Sequence, residues 1–233
     1  MAEEWPGDYR RRPPTSSPTY AVRAPLAAWL REEAARRARP YRVLDVGCGV
    51  KPYYPFFEPY ASEYVGVDVV ENPAADLQGA VESLPVEDAS FDLVLCIQVL
   101  EHADDPARAV RELRRVVAPG GAVLASTHGV QVYHPAPVDL WRWTHAGLDR
   151  LFRENADWSS LSVRPSSGTT ACLGMLVAIY ADLLARRAHL APLGRAVVAG
   201  LNRGAAALDR RSTDLSEPRS GSLIANFHVV AEP

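Results

Sequence analysis

The sequence predicts a doubly wound α/β sheet, on three observations. Val43-Leu44-Asp45-Val46-Gly47-Cys48-Gly49 reads as a short buried strand that ends in an acid and a glycine turn. Tyr64-Val65-Gly66-Val67-Asp68 repeats the theme, an apolar strand with a carboxylate at its C-terminal edge. Phe91 to Ile97 is a nearly continuous apolar run, as a parallel strand buried on both faces requires. Bare glycines let the backbone approach a ligand closely, and Asp68 stands where a ribose diol would be bound. The three together predict an adenosine-containing cofactor at the edge of the sheet.

The remaining elements are read in chain order. Residues 1–18, proline-rich and carrying Arg10-Arg11-Arg12, predict a mobile arm. Leu26, Trp29, Leu30 and Ala34 recur at helical spacing, with Pro25 suited to the first helical position and Pro40 beyond the end, so a helix is expected within 19–40. Strands follow at 41–46 and 64–69, with a short helix between them interrupted by Pro55 and a weak third strand near 74–78. Beyond the strand at 91–97, Asp104-Asp105-Pro106 caps a helix whose buried face holds Val110, Leu113 and Val117. Pro119-Gly120-Gly121 turns into a strand at 122–127. Residues 128–144 have no regular pattern, and loops of that length in compact domains are usually functional. Thr144 caps a helix to about Asn155, strands are expected at 160–164 and 222–230, and 168–212 is rich in Ala and Leu and helical.

The glycine turn also separates one cofactor from another. A dinucleotide fingerprint needs a third glycine to seat a pyrophosphate on a helix N-terminus. Gly47-Cys48-Gly49-Val50-Lys51-Pro52 lacks it, and Asp45 would repel a pyrophosphate while suiting a cationic amino-acid group. Leu84-Pro85, the run Ser90 to Cys96, Val99-Leu100-Glu101-His102 and the run Val116 to Gly121 then follow in order. With these motifs, residues 41–165 resemble the class I S-adenosylmethionine-dependent methyltransferases of the ubiquinone/menaquinone type. The resemblance implies S-adenosylmethionine as cofactor and a Rossmann-like seven-stranded sheet, parallel with an antiparallel last strand. It also implies one domain over 19–233, in which a tight hairpin of the family is replaced by a helical insertion at 168–212.

Residue by residue, the resemblance places Asp45 near the cofactor's amino group, with Gly47, Cys48 and Gly49 as the close-approach turn. Asp68 falls on the ribose, with Val69 beside the adenine. An acid common in the family five residues before the Leu-Pro proline is Ala80 here, so the adenine amine is left to backbone groups near Val81 or the neighbouring Glu82. Lys51, where the family often has glycine, is either a solvent-facing loop residue or a contact for an anionic group of the substrate or cofactor. Gln98 closes this set, at the edge where open α/β sheets place ligands.

Methyl transfer to a hydroxyl needs alignment and a proton acceptor, and an imidazole has the right ordinary pKa to accept that proton near neutrality. His128, directly after a strand, is the first candidate base, with His134 competing and His102 matching the family Leu-Glu-His. The substrate side is expected from Tyr133, Asp139, Trp141, Arg142 and Trp143. Asp139 and Arg142 read equally as an ion pair that pins the loop, and the tryptophans as lid or core.

Composition sets the outer bounds. With 48 % apolar and 23 % charged residues the chain reads as globular, and a net charge of −3 gives no reason to expect nucleic acid as a partner. Its 25 basic residues include a single lysine, Lys51, a bias that suggests a GC-rich bacterial genome. Three cysteines without CxxC spacing indicate neither a disulfide framework nor a metal site. No secretion signal or membrane span is read, so a cytoplasmic location is expected. The expected activity is methylation of a small or medium metabolite at oxygen: a sugar, a glycolipid precursor or a secondary metabolite. The alternatives are carbon methylation of a quinone-like or prenylated ring, and a catalytically silent module in a biosynthetic complex. Apolar stripes in 168–212 leave three roles open: packing on the domain itself, a homodimer interface, or contact with a membrane surface.

Overall fold

Five mutually parallel strands, β1 (Tyr41–Val46), β2 (Ala61–Asp68), β3 (Leu77–Gln78), β4 (Phe91–Ile97) and β5 (Val117–His128), make up most of one sheet. β7 (Asn226–Glu232) runs antiparallel to both its neighbours, β5 and β6 (Ser160–Pro165). The seven strands lie in the order β3-β2-β1-β4-β5-β7-β6. Chain order reverses between β1 and β4, the point where open α/β sheets hold ligands. The structure is a computed structural model and describes residues 5–37, 40–135, 138–212, 215 and 218–233.

Alternate residues of β1, β4 and β5 enter two cores. On one face Val43, Leu93, Leu95 and Leu124 pack with Leu26 and Leu30 of α2 (Tyr20–Arg36) and Phe57 of α3 (Tyr54–Phe57). On the other, Leu44, Val94 and Val123 pack with Val110 and Leu113 of α4 (Pro106–Val116) and Leu148 and Phe152 of α5 (His145–Asn155). The expected caps are in place: Asp105 accepts from the Arg108 N–H at 2.9 Å and Thr144 Oγ1 from the Gly147 N–H at 3.0 Å.

Several boundaries differ from the expectation. Pro25 lies inside α2 rather than at its start, where it removes one intrahelical hydrogen bond. β5 begins at Val117, and Gly120, at φ +79°, makes a bulge within the strand instead of a turn before it. The last strand begins at Asn226 rather than 222, because the carbonyls of Ile224 and Ala225 accept from Val130 and Gly129. The chain there follows the long loop and joins the β5 ladder only opposite His128.

Residues 5–18, expected as a mobile arm, are instead docked; residues 1–4 of that arm lie outside the described residues. Arg11, on the short helix α1 (Asp8–Arg11), is buried and donates to the carbonyls of Trp5, Pro6 and Pro52. Trp5 Nε1 donates to the Lys51 carbonyl at 2.8 Å and its ring packs 4.5 Å from Tyr54. A guanidinium that satisfies three main-chain carbonyls is a tether, not a solvated charge.

The insertion forms a helical hairpin, α6 (Thr169–Arg187) and α7 (Ala191–Ser212). The Asp209 carboxylate accepts from the N–H groups of Gly168, Thr170 and Ala171, closing the base of the hairpin. Asn202 donates to the carbonyls of Thr15 and Ser17, so α7 also clasps the arm.

Candidate active site

The C-terminal ends of β1 and β2 bring Asp45, the glycine turn and Asp68 together. Gly47 sits at φ +66°, and a Cβ there would lie 2.4 Å from Val99 Cγ2. Gly49, at φ +52°, has nothing within 4 Å of the Cβ position, which leaves an open face for a ligand. Asp68 Oδ2 accepts from the Gly49 N–H at 3.1 Å and from Asn72 Nδ2 at 3.0 Å, so the acid also holds the turn in shape. Beside it Val69 and Val70 are exposed, 55 % and 57 %, an apolar shelf at the position expected for an adenine.

Asp45 is buried, and its Oδ2 accepts from the Tyr64 hydroxyl at 2.7 Å. Burial outweighs that bond and pushes its pKa up to about 7. A desolvated carboxylate beside an open turn is suited to a cationic group. Taken with the open Gly49 face and Asp68, it fits S-adenosylmethionine: the amino group at Asp45, the ribose at Asp68. Cys48 contributes backbone only, since its side chain is buried beneath the turn.

The side chains of the other residues expected at the cofactor are engaged within the protein. Lys51, at φ +49°, folds back across Gly66, and its ammonium lies 2.5 Å from Asp76 Oδ2, so it braces β2 and does not face the cleft. The Val81 side chain is buried in the core and the Glu82 side chain accepts from the Asp105 N–H at 3.3 Å, so any contact to an adenine there falls to their backbone. Gln98, at φ +59°, donates from Nε2 to Ser126 Oγ at 3.0 Å and Asn226 Oδ1 at 2.9 Å. That network locks the ends of β4, β5 and β7 under the cleft.

A second cluster lies where β5 ends and the long loop begins. The His134 ring is 5.2 Å from those of both His128 and His102. Behind His128 stands Glu101, fully buried; its Oε2 accepts from Thr127 Oγ1 at 2.9 Å and its Oε1 lies 3.3 Å from His128 Nδ1. Burial pushes Glu101 up to about 7 and holds His128 down at about 3. Burial thus disfavours the charged form of each group, so the contact is better suited to a hydrogen bond than to an ion pair. Glu101 Oε1 and His128 Nδ1 have no other partner, so they are each other's natural hydrogen-bond mates. Among the described residues no group of His, Cys, Asp or Glu is arranged to hold a metal ion.

The loop residues expected to contact substrate divide. Asp139 and Arg142 form a two-pronged pair at 2.5 and 2.6 Å, and Asp139 Oδ2 also accepts from the His134 N–H at 3.0 Å. The arginine holds the Asp139 carboxyl well below the usual carboxylate range. This is the loop-pinning alternative, and it positions His134. Trp141 donates to the Ala103 carbonyl at 2.7 Å and stacks 5.6 Å from Trp143, which packs on the core, so both shape the loop rather than line an open pocket. Tyr133, 73 % exposed, points to solvent. His102 Nδ1 donates to the Val138 carbonyl, which orients the ring and leaves Nε2 as its acceptor nitrogen.

Comparison with known proteins fits this geometry. Residues 44–125 match the family described as methyltransferase domain. The chain is 36 % identical over 104 residues to the uncharacterized methyltransferase YcgJ of Bacillus subtilis, covering 38 % of this chain and 41 % of that protein. It is 32 % identical over 117 residues to the ubiquinone biosynthesis O-methyltransferase of Pseudomonas aeruginosa, covering 42 % of this chain and 48 % of that one. It thus spans less than half the length of these two relatives. The crystal structure of YcgJ superposes with a TM-score of 0.52 at 20 % identity, covering 90 % of this chain and 98 % of that chain. That of the [4+2]-cyclase SpnF gives 0.56 at 19 % identity, covering 91 % and 81 %. Residues 44–125 of the chain thus match a methyltransferase domain, the fold is shared with YcgJ, and Asp45, the glycine turn and Asp68 suit S-adenosylmethionine as cofactor.

Proposed function

We propose that the chain is a cytoplasmic methyltransferase that acts on a hydroxyl of a small or medium bacterial metabolite, such as a sugar, a glycolipid precursor or a secondary metabolite. Bound at the β1–β2 edge, S-adenosylmethionine supplies an activated methyl group on a sulfonium centre. Everything else falls to the protein: exclusion of water, alignment of the acceptor and removal of its proton.

The Glu101–His128 pair carries this reading. With Glu101 ionised, the Nδ1–H of His128 points to the carboxylate and Nε2 is left as a bare base. His128 then takes the hydroxyl proton at Nε2, and Glu101 stabilises the imidazolium that forms. When Glu101 is protonated its own proton occupies Nδ1, the ring proton sits on Nε2, and the base is lost. Thr127 fixes the other carboxylate oxygen, and His134, held by Asp139, covers the imidazole.

The oxygen acceptor is supported by the O-methyltransferase named among the relatives. The fold alone does not decide the reaction, since a [4+2]-cyclase shares it. The test is to incubate the protein with labelled S-adenosylmethionine and fractionated metabolite pools, then to measure His128→Ala. Loss of about two orders of magnitude or more in turnover, with cofactor affinity unchanged, is the expected result. Near-normal turnover would favour carbon methylation, and cofactor binding without transfer to any pool would favour a silent module.

A further inference from the structure

The helical hairpin is built inside out for a helix pair in water. The residues that α6 and α7 bury are mostly small, Ala171, Cys172, Ala178, Ala199 and Ala205 among them, joined by Met175 and Val198. The two helices touch through glycine: a Cβ on Gly174 would lie 2.8 Å from that of Ala205, and one on Gly194 would lie 2.4 Å from that of Ala185. Small residues of this kind allow the close backbone approach found between helices in lipid.

The large apolar side chains point the other way. Leu173, Val177, Tyr180 and Leu184 form a single row on α6, since spacings of four, three and four residues return to one helix face. Tyr180 is 63 % and Leu184 60 % exposed. On α7, Leu193 (60 %), Val197 (45 %) and Leu208 (57 %) form a second row. Monomeric proteins in water rarely leave contiguous apolar surface of this extent uncovered. Among the described residues, α6 is also the one helix long and apolar enough to cross a membrane by length and composition.

Two observations choose the occupant. Residues 169–212 hold six arginines against two aspartates, a net +4 in a chain of net −3, so the remainder carries −7. A second copy would bring +4 against +4, whereas an anionic bilayer complements the charge. Arg187 continues the apolar row of α6 at the hairpin tip, and Arg203 flanks that of α7, both exposed. Arginine beside exposed leucine is the pattern of helices that lie in the headgroup region. The base of the hairpin is locked by Asp209 and clasped to the arm by Asn202, and Asp182 pairs with Arg186 at 2.7 Å in mid-hairpin. It is therefore held against the domain, an arrangement suited to lying on a surface and not to crossing a bilayer.

We infer that the outer face of α6 and α7 docks this protein on an anionic lipid surface. Co-sedimentation at low and moderate salt tests it, with vesicles of phosphatidylcholine alone and of phosphatidylcholine mixed with phosphatidylglycerol. The protein should pellet with the anionic vesicles and release as salt rises. Tyr180→Glu with Leu184→Glu, both at exposed positions, should weaken binding at least tenfold, with S-adenosylmethionine affinity and melting temperature preserved. Arg187→Ala should weaken binding to a lesser degree and flatten its salt dependence. Failure to pellet with anionic vesicles at low salt would overturn the inference, as would double-variant binding equal to the parent's. A dimer seen by light scattering and dissociated by the same double variant, with no vesicle binding, would assign the face to a second copy.

Discussion

Replacing Glu101 by Gln tests the base and its support in one variant. The substitution preserves shape and lets the side-chain carbonyl keep accepting from Thr127 Oγ1, now 2.9 Å from the carboxylate. Its amide N–H then faces His128 Nδ1, which forces the ring proton onto Nε2 and removes the base. Turnover should fall by roughly 10²–10⁴-fold, the range for a positioned general base. In the parent the rate should rise with pH through about 7, as Glu101 ionises, and the variant should lack that rise.

Stability gives an independent reading. Glu101 is raised from 4.5 to about 7 by burial, so its contribution is complete below 4.5 and is lost as pH rises through 7. That shift corresponds to about 3 kcal/mol for a fully buried group. His128 runs the other way: held neutral down to about 3, it contributes fully above 6.5, and that contribution is lost as pH falls. Glu101→Gln removes the carboxyl whose raised pKa costs stability at higher pH, so the stability of variant over parent should grow as pH rises from 4.5 through 7. Urea denaturation at stepped pH measures this. A variant whose stability parallels the parent's at every pH and whose turnover is within threefold would refute the whole account of the pair.

Asp68→Ala should weaken S-adenosylmethionine binding by more than tenfold by calorimetry, since bonds to a charged group contribute about 1.5–3 kcal/mol. The two turn glycines should fail differently. Gly47→Ala clashes with Val99 and should lower the melting temperature sharply. Gly49→Ala meets no protein atom, so it should cost only about 1–2 kcal/mol in stability for the left-handed backbone while blocking the cofactor. His134→Ala should reduce turnover by less than tenfold, because its ring only covers His128; a loss equal to that of His128→Ala would make it the base.

The sheet was legible because its signals are local and periodic. Buried strands, proline and aspartate caps and the two acid–glycine turns each fall within a few residues, and they give order as well as identity. The docking of the arm is not legible, for the opposite reason. Proline content and an arginine triplet suggest mobility, but whether Arg11 finds three carbonyls depends on the turn at Pro52, far off in sequence. Lys51 shows the same limit: its position in the turn is plain, whereas its partner Asp76 is supplied by the approach to β3.

The candidate site divides along that line. Acids and glycines at the cofactor edge can be read because the strand that carries each one also aims it. Glu101 was visible only as a member of Leu-Glu-His, and nothing nearby in sequence says that it stands behind His128. The β4–β5 pairing makes that contact, setting Ile97 opposite Ser126 and so bringing the ends of the two strands together. A carboxylate taken wholly out of water beside an imidazole costs folding energy that an apolar residue there would not. Placing that cost at the rim of the cofactor cleft, rather than elsewhere in the core, is what makes the pair read as chemistry instead of packing.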